Sequence, residues 1–146
     1  MKIYSLGFTQ KTARQFFESL RQAGIRRLID VRLKNVSQLA GFAKKDDLAY
    51  FLEVICRAEY THDPLLAPSQ ELLDFYKKRH GGWTEYQERF LRLMAERRIE
   101  QRLDRSLFEV KPTVLLCSEA TAEHCHRRLI LDYLNDKWGD ITPVHL

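Results

Sequence analysis

The chain of 146 residues is poor in the residues that mark special architectures, with only three cysteines, four prolines and six glycines. Those counts exclude a disulfide-stapled miniprotein, a collagen-like repeat and a low-complexity tract, and the 45% apolar content excludes a disordered chain. Three is an odd number, and with no export signal Cys56, Cys117 and Cys125 are read as thiols rather than as a disulfide framework. No stretch approaches the roughly 20 consecutive apolar residues of a membrane span. Met1-Lys2-Ile3-Tyr4-Ser5-Leu6-Gly7 has one basic residue and too short an apolar run for a signal peptide, so the sequence predicts a cytoplasmic protein with no membrane partner. No linker and no internal repeat divides the chain, which predicts a single domain over residues 1–146. A dominant charge is missing too. The 24 Lys and Arg face 20 Asp and Glu, and the net +4 selects neither nucleic acid, nor an anionic metabolite, nor mere solubility.

What is present is an alternation of apolar patterns. Ile3 to Leu6 reads as a short strand ending at Gly7, and Thr9 as the N-cap of a helix that buries Ala13, Phe16, Phe17 and Leu20 and closes at Gly24. Arg27 to Val31 is a second strand. Asp46 or Asp47 opens a helix with Leu48, Phe51, Leu52 and Ile55 on one face, and Glu59 to His62 is a third strand. Ser69 caps a helix carrying Leu72, Leu73 and Tyr76, which Gly81-Gly82 ends. Trp83, Tyr86, Phe90, Leu93 and Met94 then recur at helical spacing, a stripe assigned to the core. Thr113 to Leu116 is a continuous apolar run, as in a strand buried on both faces, with Cys117 at its end. Thr121 can cap a helix facing inward through Leu129, Ile130, Tyr133, Leu134 and Trp138, and Ile141 to Val144 closes the series. Strands alternating with helices predict an α/β fold, a mainly parallel central sheet flanked by helices in a Rossmann-like three-layer arrangement.

Parallel sheets bind ligands at the carboxyl ends of their strands, which directs attention to Gly7, Thr9, Asp30, Arg32, His62 and above all the segment from Cys117 to Arg127. There a thiol, a hydroxyl, carboxylates, imidazoles and guanidinium groups crowd around a strand-to-helix turn. Helix N-termini hold anions and lower the pKa of nearby thiols, so the turn suits anion binding or thiolate chemistry. Cys125 and His126 lie one turn before Leu129 and Ile130, which directs both toward the sheet. On this spacing Cys125 is equally a core residue and His126 a buried structural hydrogen-bonder, while Arg127 can reach Glu119, Glu123 or Asp30.

Leu6-Gly7-Phe8-Thr9, Ile29-Asp30-Val31-Arg32, Gly41-Phe42, Tyr60-Thr61-His62 with Leu65-Leu66-Ala67-Pro68, Cys117-Ser118-Glu119 followed by Cys125-His126-Arg127, and the terminal Val144-His145-Leu146 together carry a resemblance. Over essentially its whole length the chain resembles the domain-of-unknown-function 488 family, which implies a compact α/β domain with these segments gathered at one end of the sheet and no settled reaction. Asp30-Val31-Arg32, with a cysteine ending a later strand, is also similar to rhodanese-like sulfurtransferases. In those proteins the cysteine and the arginine of the anion loop are closely spaced, whereas this chain has Glu123 at the sixth position after Cys117 and no glycine before Arg127.

The leading expectation is a pocket that binds an anionic ligand, a phosphate-bearing nucleotide or a nucleic-acid end. Gly7, Thr9, Asp30, Arg32, His62, Ser118 and Arg127 are its binding candidates. The alternative is a cysteine-dependent enzyme, rhodanese-like or hydrolase-type. In it Cys117 is the nucleophile, His126 or His62 the proton acceptor and Glu119 the orienting residue. A third reading is a non-catalytic module in which Cys117, Glu119, His126 and Arg127 form a fixed internal network. No structural zinc site is expected, and at most a labile or adventitious ion: Cys117, Cys125 and His126 are suitable ligand types that His62 or His145 could join, but successive helical residues point about 100° apart and there is no Cys-x-x-Cys pair. No cofactor and no oligomeric state is specified. The charge is uneven, with 11 basic and 5 acidic side chains in residues 1–58 against 3 and 5 in residues 113–146. An anionic partner is therefore drawn first to the segments around the first two strands, where Arg26, Arg27, Arg32, Lys34, Lys44 and Lys45 cluster.

Overall fold

In a computed structural model, which describes residues 1–35, 41–119 and 124–146, five strands form one sheet. They are β1 (Lys2–Gly7), β2 (Arg27–Asp30), β3 (Glu59–His62), β4 (Thr113–Cys117) and β5 (Thr142–His145), in the order β3-β2-β4-β1-β5. Every pairing is parallel. Gly7 lies beside Cys117 and Asp30 beside His62, so the strand ends singled out in the sequence share one edge.

Helices cover both faces. On one, α1 (Ala13–Gln22) and α2 (Lys45–Phe51), which continues as a π-helical turn over Leu52–Cys56, pack Phe16, Phe17, Leu20, Leu48 and Leu52 on Leu6, Leu28, Val114 and Leu116. On the other lie α3 (Gln70–Lys77), α4 (Trp83–Arg97), α5 (Ile99–Arg102), α6 (Arg105–Val110) and α7 (His126–Trp138). There Phe90, Met94, Leu129, Ile130 and Leu134 meet Ile3, Ile29 and Leu115. The alternation of side chains along a strand puts Leu115 and Cys117 on this second face and Val114 and Leu116 on the first. This is the three-layer α/β arrangement expected. No helix among the described residues is long and apolar enough to cross a membrane.

Several boundaries differ from the sequence pattern. Thr9 does not cap α1. Thr12 does, through a reciprocal box in which Thr12 Oγ1 accepts from the Gln15 N–H at 3.1 Å and Gln15 Oε1 accepts from the Thr12 N–H at 2.9 Å. Asp46 and Asp47 occupy the first turn of α2 rather than its cap, which is Lys44. The π-helical turn changes the phase of that helix, so Ile55 ends 39% exposed while Cys56 turns inward. Ser69 caps α3 as read, accepting from the Leu72 N–H at 3.1 Å, and Gly82 caps α4. Thr121 and residues 36–40 lie outside the described residues, and α7 starts at His126 with Cys125 as its cap.

The topology explains where a ligand site belongs. From β1 the chain crosses to α1 on one face, and from the adjacent β4 it crosses to α7 on the other. Neighbouring strands whose connections leave in opposite directions open a crevice between them, and this crevice lies between Gly7-Phe8-Thr9 and Cys117-Ser118-Glu119.

Candidate functional site

Gly7 sets the width of that crevice. A Cβ on Gly7 would lie 1.5 Å from the Glu119 carbonyl oxygen and 2.8 Å from Arg127 Nη1, so only glycine lets the two strand ends and the guanidinium share the space. The crevice is tied by the Thr9 N–H, which donates to the Ser118 carbonyl at 3.0 Å. Thr9, displaced from its predicted capping role, is thereby fixed at the rim.

Arg127, on the first turn of α7, is 1% exposed and reaches under the sheet edge. Its Nε donates to Ser5 Oγ at 3.2 Å, and its Nη1 donates to the Glu119 backbone oxygen at 2.7 Å and to Cys117 Sγ at 2.9 Å. Among the described residues no carboxylate bonds it, contrary to the expected pairing with Glu119 or Asp30; Glu123 lies outside those residues. Burial pulls its pKa down to about 10. Ser5 Oγ, already accepting from Arg127, donates its proton to His145 Nδ1 at 2.5 Å.

Cys117 and Cys125 do not behave as separate thiols. Their sulfurs are in direct contact, with Cα atoms 7.7 Å apart, and Cys56 alone is a free, buried thiol. The premise that Cys125 and His126 must diverge also fails. Cys125 is not helical but extended (φ −135°, ψ 141°), which sends its side chain back toward β4 while His126 begins the helix. Cys117 Sγ, Cys125 Sγ and a ring nitrogen of His126 consequently lie within 4.8 Å of one another. His126 Nε2–H donates to the Val31 carbonyl at 2.8 Å and its ring packs against Phe90 with centroids 5.5 Å apart. Burial, the dominant cause, pushes its pKa down to about 4 against the opposing pull of the Val31 carbonyl, so the ring is neutral at pH 7. The orienting partner foreseen for it, Glu119, instead sends its carboxylate outward to Lys77 Nζ at 2.8 Å.

Asp30 and Arg32 form a buried bidentate pair. Arg32 Nε and Nη2 each donate to the carboxylate at 2.8 Å, Nη2 also donates to the Ala43 carbonyl at 2.7 Å, and the Tyr60 hydroxyl donates to Asp30 at 2.6 Å. Burial and this bond to a carboxylate push the Tyr60 pKa well above its ordinary value. His62 Nε2–H donates to the Arg32 carbonyl at 2.7 Å and so holds the strand-end turn. Arg32 is 4% exposed, and its remaining nitrogen, Nη1, is buried without a hydrogen-bond partner among the described residues.

These groups border a cavity of about 480 Å³. Its floor and one wall hold Thr9, Arg32, Cys117, Ser118, Glu119, Cys125 and His126, with Lys34 and Lys77 at the side. Gly7, Asp30, His62 and Arg127 stand behind this wall. The opposite wall is aromatic and escaped the sequence reading, which gave the α4 stripe wholly to the core. Tyr86 is buried there, but Tyr76 and Trp83 also line the cavity. Trp83 stacks on Tyr86 (centroids 5.4 Å apart, planes 21°) and on His124 (4.9 Å, 27°). The signal was a tryptophan just after Gly81-Gly82, where a helix begins and its first side chains are free to face a neighbouring loop. Arg97, in the last turn of α4, donates to the Leu65 and Ala67 carbonyls at 2.7 and 2.6 Å, pinning the segment whose Pro68 lines the cavity.

No curated protein and no solved structure matches this chain. A family model, Domain of unknown function DUF488, matches residues 12–134, a span that includes Asp30, Arg32, His62 and the whole segment from Cys117 to Arg127. Covering most of the chain and the greater part of the cavity wall, that match makes the protein a member of the DUF488 family.

Proposed function

We propose that the cavity binds a phosphate-bearing mononucleotide, with the phosphate toward Arg32, Thr9 and Ser118 and the base against Trp83. The observation that carries this reading is Arg32, which lines the cavity and whose Nη1 is buried and, among the described residues, without a hydrogen-bond partner. Leaving such a donor unpaired costs roughly 1–3 kcal/mol, which a ligand acceptor recovers. Asp30 already balances the charge of Arg32, so Arg32 supplies an oriented donor and Lys34 the positive charge. The aromatic wall suits a planar ring.

The size of the cavity favours one nucleotide over a nucleic-acid strand. The three arginines of the basic cluster around β2 are also committed within the chain: Arg26 donates to the Cys56 carbonyl, Arg27 to Leu107 and Glu59, and Arg32 to Asp30. A thiolate enzyme with His126 as base is less well supported, because a ring whose pKa is about 4 is a weak proton acceptor near neutrality.

The chain has two tryptophans, so a Trp138→Phe background makes Trp83 the sole indole reporter. In it, AMP quenches Trp83 fluorescence saturably, adenosine does so much more weakly, and salt weakens the AMP response. Arg32→Lys keeps a cation beside Asp30 but removes Nη1, and weakens AMP binding about tenfold. Equal responses to AMP and adenosine, or none at millimolar AMP, would rule the reading out.

A further inference from the structure

The geometry points to a second role for the cavity floor: Cys117, Cys125 and His126 form a three-ligand site for Zn2+ or a similar borderline divalent ion, with a fourth position open to the cavity. This does not rest on nucleotide binding.

Three features of the backbone and side chains support it. The donors come from three different local structures, the end of β4, the extended cap and the first residue of α7, yet lie within 4.8 Å of one another. Two thiolates and an imidazole are the donor types that Zn2+ prefers, and three protein ligands with an open position is the arrangement of reactive rather than structural zinc. The second feature is the span between the cysteines. Their Cα atoms are 7.7 Å apart, beyond the ~4.4–6.8 Å over which disulfides close. An ion between the sulfurs holds them about 3.7 Å apart, as two Zn–S bonds of about 2.3 Å at a tetrahedral angle require, and that longer bridge suits the wider span.

The third is the company the donors keep. His126 uses Nε2–H on the Val31 carbonyl, which leaves Nδ1 as its lone-pair nitrogen. A ligating histidine typically has its other nitrogen anchored in this way. Arg127 Nη1 lies 2.9 Å from Cys117 Sγ and 3.6 Å from Cys125 Sγ. It is a buried cation whose described partners are sulfur, a hydroxyl and a carbonyl, so its natural counter-charge is thiolate. The joined sulfurs must first take up two electrons, which a phosphine supplies as it is oxidised to its oxide; from the resulting pair of thiols, binding releases one proton each and forms two metal–sulfur bonds with no further change of oxidation state. Two thiolates neutralise the ion, and an anion at the fourth position, arriving from the cavity, balances Arg127.

The test is a titration of the full chain, kept reduced by a phosphine, with Co2+ and then Zn2+. The expected result is one ion per chain. Co2+ gives a sulfur-to-metal charge-transfer band in the near ultraviolet and visible bands of tetrahedral intensity, and Zn2+ displaces it. Cys117→Ser and Cys125→Ser each weaken Zn2+ binding about a hundredfold or more, while Cys56→Ser leaves it unchanged. X-ray absorption of the Zn2+-loaded wild type, which needs no variant to fold, shows two sulfurs and an imidazole nitrogen in the first shell. The inference is overturned by a reduced wild-type chain that gives no charge-transfer band, by a first shell of nitrogen and oxygen alone, or by a band that survives both serine variants. Because no nucleotide is present, the outcome is independent of the AMP experiment.

Discussion

Among the described residues two arginines are buried, Arg32 at the end of β2 and Arg127 under the crevice between β1 and β4. Arg32 meets a carboxylate through two parallel bonds, with Tyr60 completing the acceptor side, and its ring neighbour is Phe8 at 5.3 Å. Arg127 meets a hydroxyl, a carbonyl and sulfur. The first is a closed ion pair whose guanidinium is held in one orientation, with a single nitrogen left over. The second is a cation awaiting negative charge. A buried charge persists only with compensation, so the difference marks which side of the site is scaffold and which is chemically unfinished.

Four substitutions sharpen that contrast. Asp30→Ala strands Arg32 in the interior and lowers stability most, by about 4 kcal/mol in urea denaturation. Gly7→Ala comes next, at about 3 kcal/mol, because the new methyl collides with backbone rather than with a yielding side chain; in the same variant Co2+ binding is lost as Arg127 is expelled. Arg127→Met costs less, about 2 kcal/mol by the same method, since it leaves only neutral acceptors unpaired and any thiolate there takes up a proton. An Arg127→Met loss equal to that of Asp30→Ala would mean that Arg127 is as fully ion-paired as Arg32, and would erase the distinction. Ser5→Ala removes one acceptor from Arg127 Nε and lowers the thermal midpoint slightly, by the equivalent of about 1 kcal/mol.

The fold was largely legible because its strongest signals are local. Thr113 to Leu116 reads as a doubly buried strand from its unbroken apolar run, and Glu59 to His62 is bounded by its own turn residues. The strand-end rule then pointed to Thr9, Arg32, Cys117, Ser118, Glu119 and His126, all of which border the cavity. What escaped is what depends on distant partners. The Thr12–Gln15 box was present in the sequence, but Thr9 competed with it, and only the bond from Thr9 to Ser118 settles which threonine caps. Cys125 looked helical because periodicity carries inward from Leu129, whereas its backbone is extended and its sulfur meets that of Cys117. The α4 stripe was correctly apolar, yet periodicity identifies a face and not what that face touches, so Trp83 as a cavity wall was invisible. Ser5 and Arg127 are 122 positions apart, and no local pattern joins them.

The pairing of Gly7 with Cys117 has a consequence for how the chain reaches this state. The central strands are among the most widely separated in sequence, and closing so long a loop carries a large entropic cost before any contact rewards it. The N-terminal βαβ portion can gather its phenylalanines early, but the crevice has no second wall until β4 inserts between β1 and β2. The crevice is therefore completed late, whereas Cys117 and Cys125, with a sequence separation of only 8, form a local pair that does not wait for the sheet.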